Sequence, residues 1–310
     1  MQLLYALAEL RTPFLDALLG ALTNCGGELV FMAAAIIVFW CVSKSCGYYM
    51  LTVGFVGTIV NQFLKLVFRI PRPWVKDPDF QIVESARAEA TGYSFPSGHT
   101  QNVFASFGCL GRWTRRTWLR VVCAVVIVLT AFSRMYLGVH TPLDVGVSFG
   151  IGLVLVFALY PLFRDIDSHP KRLYLLFGAM AVLGAAYLLF AELWPFPADV
   201  DLASGRKNAY TLLGAVLGMT FAYWLDRRYV HFDVRAVWWA QVLKTVLGLA
   251  ITIGLRAALK APLLALCGGH NVANLIRYAL MVIFAAGIWP MTFGWFGRLG
   301  RKKPASGASD

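Results

Sequence analysis

The chain has 310 residues, 59% of them hydrophobic and 14% charged, with 28 Lys and Arg against 16 Asp and Glu. Soluble domains carry about a quarter of their residues as charges, so this composition excludes an ordinary soluble protein. Its apolar runs of roughly 20 residues indicate a polytopic α-helical membrane protein. The formal net charge of +12 does not point to nucleic acid, because the basic residues sit in short clusters between apolar runs and form no basic stripe.

Residues 1–27 are moderately apolar and broken at Arg11-Thr12-Pro13, which predicts an interfacial or lead-in helix closed by the turn Asn24-Cys25-Gly26-Gly27. Spans are expected near 28–42 and 47–68, joined at Ser43-Lys44-Ser45. A polar loop over roughly 70–94 carries Pro71, Pro73 and Pro78. A short span near 98–112, spans near 119–138 and 142–163, and apolar runs near 173–193, 208–225 and 240–296 complete the set. At ~20 residues per crossing this gives about nine spans. The expected organisation is a lead-in over 1–27, a six-span core over 28–195 with its active-site loop at 70–97, a three-span extension over 196–300, and a polar cytoplasmic tail over 301–310.

Loop charges orient the chain. The basic clusters Arg112–Arg120, Arg164–Arg172, Arg227–Arg235 and Arg298–Lys303 fall on one side, and the other side, with Arg206, Lys207, Arg256 and Lys260, is sparser. The first side is therefore expected to be cytoplasmic. The six cysteines are scattered with no paired spacing, which reads as packing and not as a metal or disulfide framework. No cleavable leader is evident in the first residues.

Three polar clusters stand out, all at span ends on the extracytoplasmic side. They are Lys65 with Arg72-Pro73, Pro96-Ser97-Gly98-His99, and Ser133-Arg134 with His140 and Asp144. His140 and Asp144 are four apart at a helix start, so the carboxylate can fix one imidazole nitrogen and leave the other free to attack phosphorus. His99 suits the general acid and base. Lys65, Arg72 and Arg134 match phosphoryl oxygens in charge, and Ser97 with the Gly98 amide adds donors at a helix N-terminus. Phosphoryl transfer rests mainly on positioning and electrostatics, so these cations can stand in for a metal, and none is expected. Each group alone has an ordinary explanation, such as a snorkelling anchor or a turn. Their convergence on one face points to function.

The same residues resemble the signature of the type 2 phosphatidic acid phosphatase superfamily: Lys-x6-Arg-Pro, Pro-Ser-Gly-His and Ser-Arg-x5-His-x3-Asp. The match runs from Lys65 to Asp144 without a departure. The resemblance implies an all-α six-span core, metal-independent lipid phosphate hydrolysis without a cofactor, His140 as nucleophile and His99 as acid/base. Expected substrates are a polyprenyl diphosphate, phosphatidic acid or a similar lipid at the plasma membrane, with a bacterial inner membrane the expected setting. The competing readings are a lipid phosphotransferase on the same site and a non-catalytic transporter or scaffold. Vanadium-dependent haloperoxidases share the signature but are soluble. The resemblance leaves the C-terminal spans open as a dimer surface, a lipid-access wall or a partner site. Lys244 is expected to snorkel beside Trp238-Trp239, and Arg277, on the active-site side, is weighed as a headgroup contact.

Overall fold

The computed structural model describes residues 1–166, 168–197, 200 and 202–299. Their regular structure is helical, with no strand. The tail expected over 301–310 lies outside the described residues.

Two short helices, α1 (Gln2–Glu9) and α2 (Pro13–Thr23), open the chain. Thr12 caps α2 by accepting from the Leu15 amide, and Pro13 occupies the first turn, where no amide donor is needed. After the turn Asn24–Gly26 comes α3 (Glu28–Cys41), bent by 50° from the α2 segment. The lead-in and α3 are together apolar enough to count as one bent segment. The Ser43-capped α4 (Lys44–Phe68) is the axis of the molecule, buried along most of its length. It stops at Arg69, whose left-handed backbone (φ 49°) turns the chain out of the helix one turn after Lys65.

Segments Gly98–Val103, Phe104–Gly108 and Cys109–Trp113 run on as α5, with a π-helical turn in the middle. Then follow α6 (Thr117–Tyr136), α7 (Pro142–Arg164) and α8 (Pro170–Leu193). The extension comprises α9 (Ala203–Leu225), α10 (Trp238–Ala258), α11 (Lys260–Leu266) and α12 (Val272–Ile283), the last running on through further helical turns.

Among the described residues six helices are long and apolar enough to cross a membrane, or seven when the bent α2–α3 pair is taken as one span. Two of the nine expected spans, α5 and α9, are not among these helices, although each runs from the active-site end to the opposite, basic end. The three segments of α5 have six, five and five residues, below the roughly 20 that a bilayer core requires. In α9 the apolar residues are diluted by Gly, Thr and Tyr, because much of this helix packs against its neighbours, leaving Leu217, Phe221 and Trp224 exposed. Gly214 and Gly218 let α9 approach the backbone of Leu275 and Ala279 on α12, where an added Cβ would collide. Small residues at contacts are how helices associate where lipid removes the hydrophobic drive.

One apolar core joins the two halves, running from Phe31 and Phe39 through Met50 and Phe177 to Tyr223 and Phe293. Polar ties reinforce it. Trp40 Nε1 donates to the Ala285 carbonyl at 2.8 Å, and Lys44 pairs with Asp226 at 2.8 Å. Lys244 does not snorkel: it is buried, donates to the Trp40 carbonyl at 2.9 Å and lies 4.2 Å from the Phe293 ring centroid. Its ammonium is satisfied inside the bundle, so it has no need of the interface.

A smaller apolar cluster covers the other end. Leu4 and Leu19 meet Phe80 and Ile82 from the 70–94 loop and Tyr136 and Leu137 from the end of α6. Arg11 fastens this layer, donating to the Tyr136 carbonyl at 3.0 and 3.1 Å and to the Gln81 carbonyl at 2.7 Å. The polar loop is thus held in place over the ends of α4, α5 and α6.

Candidate active site

The residues expected to act together do come together. His140 sits in the short link between α6 and α7, where its amide and that of Val139 both donate to the Arg134 carbonyl at 3.2 Å. Arg72 follows the end of α4 and is buried. Its guanidinium is held by three backbone carbonyls: Thr91 at 2.7 Å, Val139 at 3.0 Å and Gly92 at 3.1 Å. The same Nη1 lies 3.0 Å from His140 Nε2. A guanidinium can only donate, so Nε2 carries the lone pair and the ring proton belongs on Nδ1. Nδ1 faces Asp144 Oδ2 at 3.5 Å.

Asp144 is fully buried and anchored independently of the imidazole. The Ser94 hydroxyl donates to Oδ2 at 2.6 Å and the Thr141 amide donates to it at 2.7 Å. Thr141 in turn caps α7, its hydroxyl accepting from the Asp144 amide in a reciprocal capping box. The carboxylate is fixed by two donors before the histidine approaches. Burial holds the His140 imidazole well below its ordinary proton affinity, and the neighbouring Arg72 and Arg134 charges act the same way.

Arg134 is buried in the last turn of α6. Its Nη1 donates to the Thr23 hydroxyl at 2.8 Å, while Nε and Nη2 are buried without a partner. Unpaired buried guanidinium donors are costly, and here they lie in the His140 cluster. Lys65, in the last turn of α4, donates to the Tyr93 carbonyl.

His99 begins α5, and its Nε2 lies 2.8 Å from Glu89 Oε2. An added Cβ on Gly26 would collide with the His99 carbonyl, so the turn after α2 packs directly against this residue. Ser97 has a structural part as well. Its buried hydroxyl caps α5, accepting from the Thr100 amide at 3.4 Å and the Thr100 hydroxyl at 3.0 Å, and its amide donates to the Asp144 carbonyl at 3.1 Å. The hydroxyl accepts in both bonds, so the cap aims α5 and leaves the hydroxyl proton free to donate. Gly98 has open space where a side chain would be.

Four contributors were not anticipated. Thr141 was legible, since a Thr three residues before Asp at a helix start is a capping signature. Thr23, Ser94 and Glu89 had no local signal, because each meets its partner through a tertiary approach.

Comparison with known proteins gives a consistent picture. Residues 45–167 match the family model of the PAP2 superfamily, and residues 210–302 match that of the PAP2 superfamily phosphatase transmembrane extension. Phosphatidylglycerophosphatase B of Bacillus subtilis is 26% identical over 178 residues, which is 53% of this chain and 80% of that protein. Undecaprenyl-diphosphatase BcrC of the same organism is 31% identical over 39% of this chain and 61% of its own length. A probable sphingosine-1-phosphate phosphatase of Dictyostelium discoideum is 27% identical over 71% of this chain but 56% of that protein, so the chain spans little more than half of that relative. No solved structure matches significantly.

Proposed function

The chain belongs to the PAP2 superfamily, and from that premise we propose that it hydrolyses a lipid phosphate or diphosphate through a phosphohistidine at His140. The observation that carries the reading is the buried His140, with its Nε2 lone pair turned to Arg72 and two unpaired donors of Arg134 in the same cluster.

In the first step the Nε2 lone pair attacks phosphorus and the bond from phosphorus to the lipid oxygen breaks. His99 gives a proton to that departing oxygen. In the second step water attacks the phosphohistidine, His99 takes its proton, and inorganic phosphate leaves with His140 neutral again. As Nε2 becomes bonded to phosphorus the imidazole turns cationic, and Asp144 opposite Nδ1 stabilises that charge. Lys65, Arg72 and Arg134 offset the phosphoryl charge, with the Gly98 amide at the start of α5 as a further donor.

The relatives named for phosphatidylglycerophosphate and undecaprenyl diphosphate support a substrate with an apolar tail and a terminal phosphate. We place the site at the extracytoplasmic face of the plasma membrane, because the basic clusters Arg112–Arg120 and Arg227–Arg235 lie at the opposite helix ends.

Phosphate release by detergent-purified protein, with EDTA present, across a panel of these lipids tests the proposal. Wild type should release phosphate from at least one lipid and His140→Ala from none. Equal release by both would overturn the mechanism. Product formation only when a lipid or sugar acceptor is added would turn the reading into a phosphotransferase.

A further inference from the structure

Four cations gather at the end of the extension that shares the active-site face. Lys207 near the start of α9, Arg256 late in α10, Lys260 at the start of α11 and Arg277 on α12 line one cavity of about 490 Å³. Gly205, two residues before Lys207, lies against the side chain of Leu66, the neighbour of Lys65, which brings this end of α9 beside the end of α4. Among the described residues no Asp or Glu lines the cavity and none forms an ion pair with any of the four cations. Like charges collected without a counter-charge repel, and a bound anion relieves this.

Arg277 separates the cavity from a ring of surface anchors. A snorkelling cation carries its head to water, yet Arg277 is 6% exposed. Its Nη2 donates to Asn274 Oδ1 at 2.8 Å, one turn back on the same helix, which fixes the plane of the guanidinium. Its Nε is buried with no partner. A planar, oriented guanidinium with an open donor edge matches a phosphate oxygen.

The remaining walls identify the kind of molecule that carries the anion. Ile253 and Leu264 line the cavity beside the cations, and Ile253 is 66% exposed on α10, which is otherwise a lipid-facing span. The site therefore joins a cationic end to an apolar flank at the membrane boundary. We propose that it holds the phosphate of an anionic membrane lipid, with Arg277 as the anchor and Lys207, Arg256 and Lys260 as the rim. Among the described residues the lining holds no histidine, cysteine or carboxylate, and the proposal is for a lipid that is held there. This assignment is independent of hydrolysis at His140.

Native mass spectrometry of the full chain in a neutral detergent tests it, with dioleoyl phosphatidylglycerol, dioleoyl phosphatidylcholine or inorganic phosphate added. Wild type should retain phosphatidylglycerol in clear preference to phosphatidylcholine. Arg277→Gln, and separately the triple variant Lys207→Gln, Arg256→Gln, Lys260→Gln, should each lower that retention by roughly tenfold, the loss expected for charge-assisted bonds. Arg134→Ala, which alters the other cation cluster, should leave the retention intact. The triple variant changes only exposed side chains, so the test stands even where Arg277→Gln folds poorly. Equal retention of phosphatidylcholine, unchanged retention in both variants, or a loss confined to Arg134→Ala would overturn the proposal. Loss in the triple variant alone would remove Arg277 as the anchor. Displacement by inorganic phosphate would make free phosphate the occupant and overturn the lipid assignment.

Discussion

Two clusters of cations open toward the same face of this molecule, and they are held in opposite ways. Lys65, Arg72 and Arg134 are fastened by backbone carbonyls of Tyr93, Thr91, Gly92 and Val139 and by the Thr23 hydroxyl, with Asp144 buried among them. Lys207, Arg256 and Lys260 are exposed around one buried arginine, with no carboxylate among the described lining residues. The first arrangement is rigid before any ligand arrives, which suits groups that must meet charge as it develops. The second can answer only to charge already present. A histidine with a directed lone pair belongs to the first alone.

The strongest way to break this contrast is to remove that histidine. His140→Ala is expected to lower phosphate release by on the order of 10⁴-fold or more, as loss of a nucleophile does elsewhere. Size-exclusion chromatography should show the same elution profile as wild type. Residual release within about a hundredfold of wild type would mean that the fixed cations alone carry the rate, erasing the distinction between the two clusters.

Next in size is the support under Arg134. Thr23→Val keeps the shape of the residue but removes the hydroxyl that accepts from Nη1, leaving a further buried donor unpaired. A loss of about 1–3 kcal/mol in stability is expected, read as a lower Tm. The guanidinium also loses its tether, so kcat should fall by roughly 10–100-fold, the range of a misplaced catalytic group. A variant with lowered Tm and unchanged kcat would mean that Arg134 needs no fixing.

The pH dependence sharpens the contrast further. His140 attacks as the neutral imidazole, and burial together with Arg72 and Arg134 holds its proton affinity well below the ordinary value. Protonation therefore sets in only at lower pH, and the acid limb of kcat/KM, which reports the free protein, should lie below the usual imidazole range near ~6.5. Arg72→Gln removes one positive neighbour and should move that limb upward. It should not bring it fully to the ordinary value, because burial is the larger cause. An acid limb at the ordinary value in wild type would mean that water reaches His140.

How much of this was legible beforehand depended on whether a feature is local. The α-helical class followed from composition, and the three clusters were readable because each is a run of adjacent residues at a helix end. The pairing of His140 with Asp144 followed from their four-residue spacing, and Thr141 was available from the same stretch. Thr23 and Arg134 are 111 positions apart, and Ser94 and Asp144 are 50 apart. Such pairs depend on how the lead-in and the 70–94 loop fold over the bundle, which periodicity does not encode. Lys244 misled for the same reason: a cation in an apolar run reads as an anchor until the Trp40 carbonyl is seen beside it. The contact of Gly214 and Gly218 on α9 with α12 was hidden for that reason too, since the apolar length of a run does not say which neighbour it meets.

The smallest expected effect concerns the one anion at the mouth of the first cluster. Glu89 is half-exposed and engages His99 Nε2 at 2.8 Å, so an arriving phosphate meets a carboxylate on the group that is to protonate its leaving oxygen. Exposed ion pairs are weak, typically below about 1 kcal/mol, so displacement of Glu89 is a small part of the binding step. Glu89→Gln keeps a hydrogen-bonding group of the same length and removes the charge. KM for a short-chain lipid phosphate should fall by a few-fold at low ionic strength, and the difference from wild type should shrink as salt screens the carboxylate. If kcat falls instead while KM is unchanged and salt has no effect, Glu89 orients His99 during the reaction. It would then join Asp144 and the backbone carbonyls as part of the rigid framework, and the first cluster would include its own exposed rim.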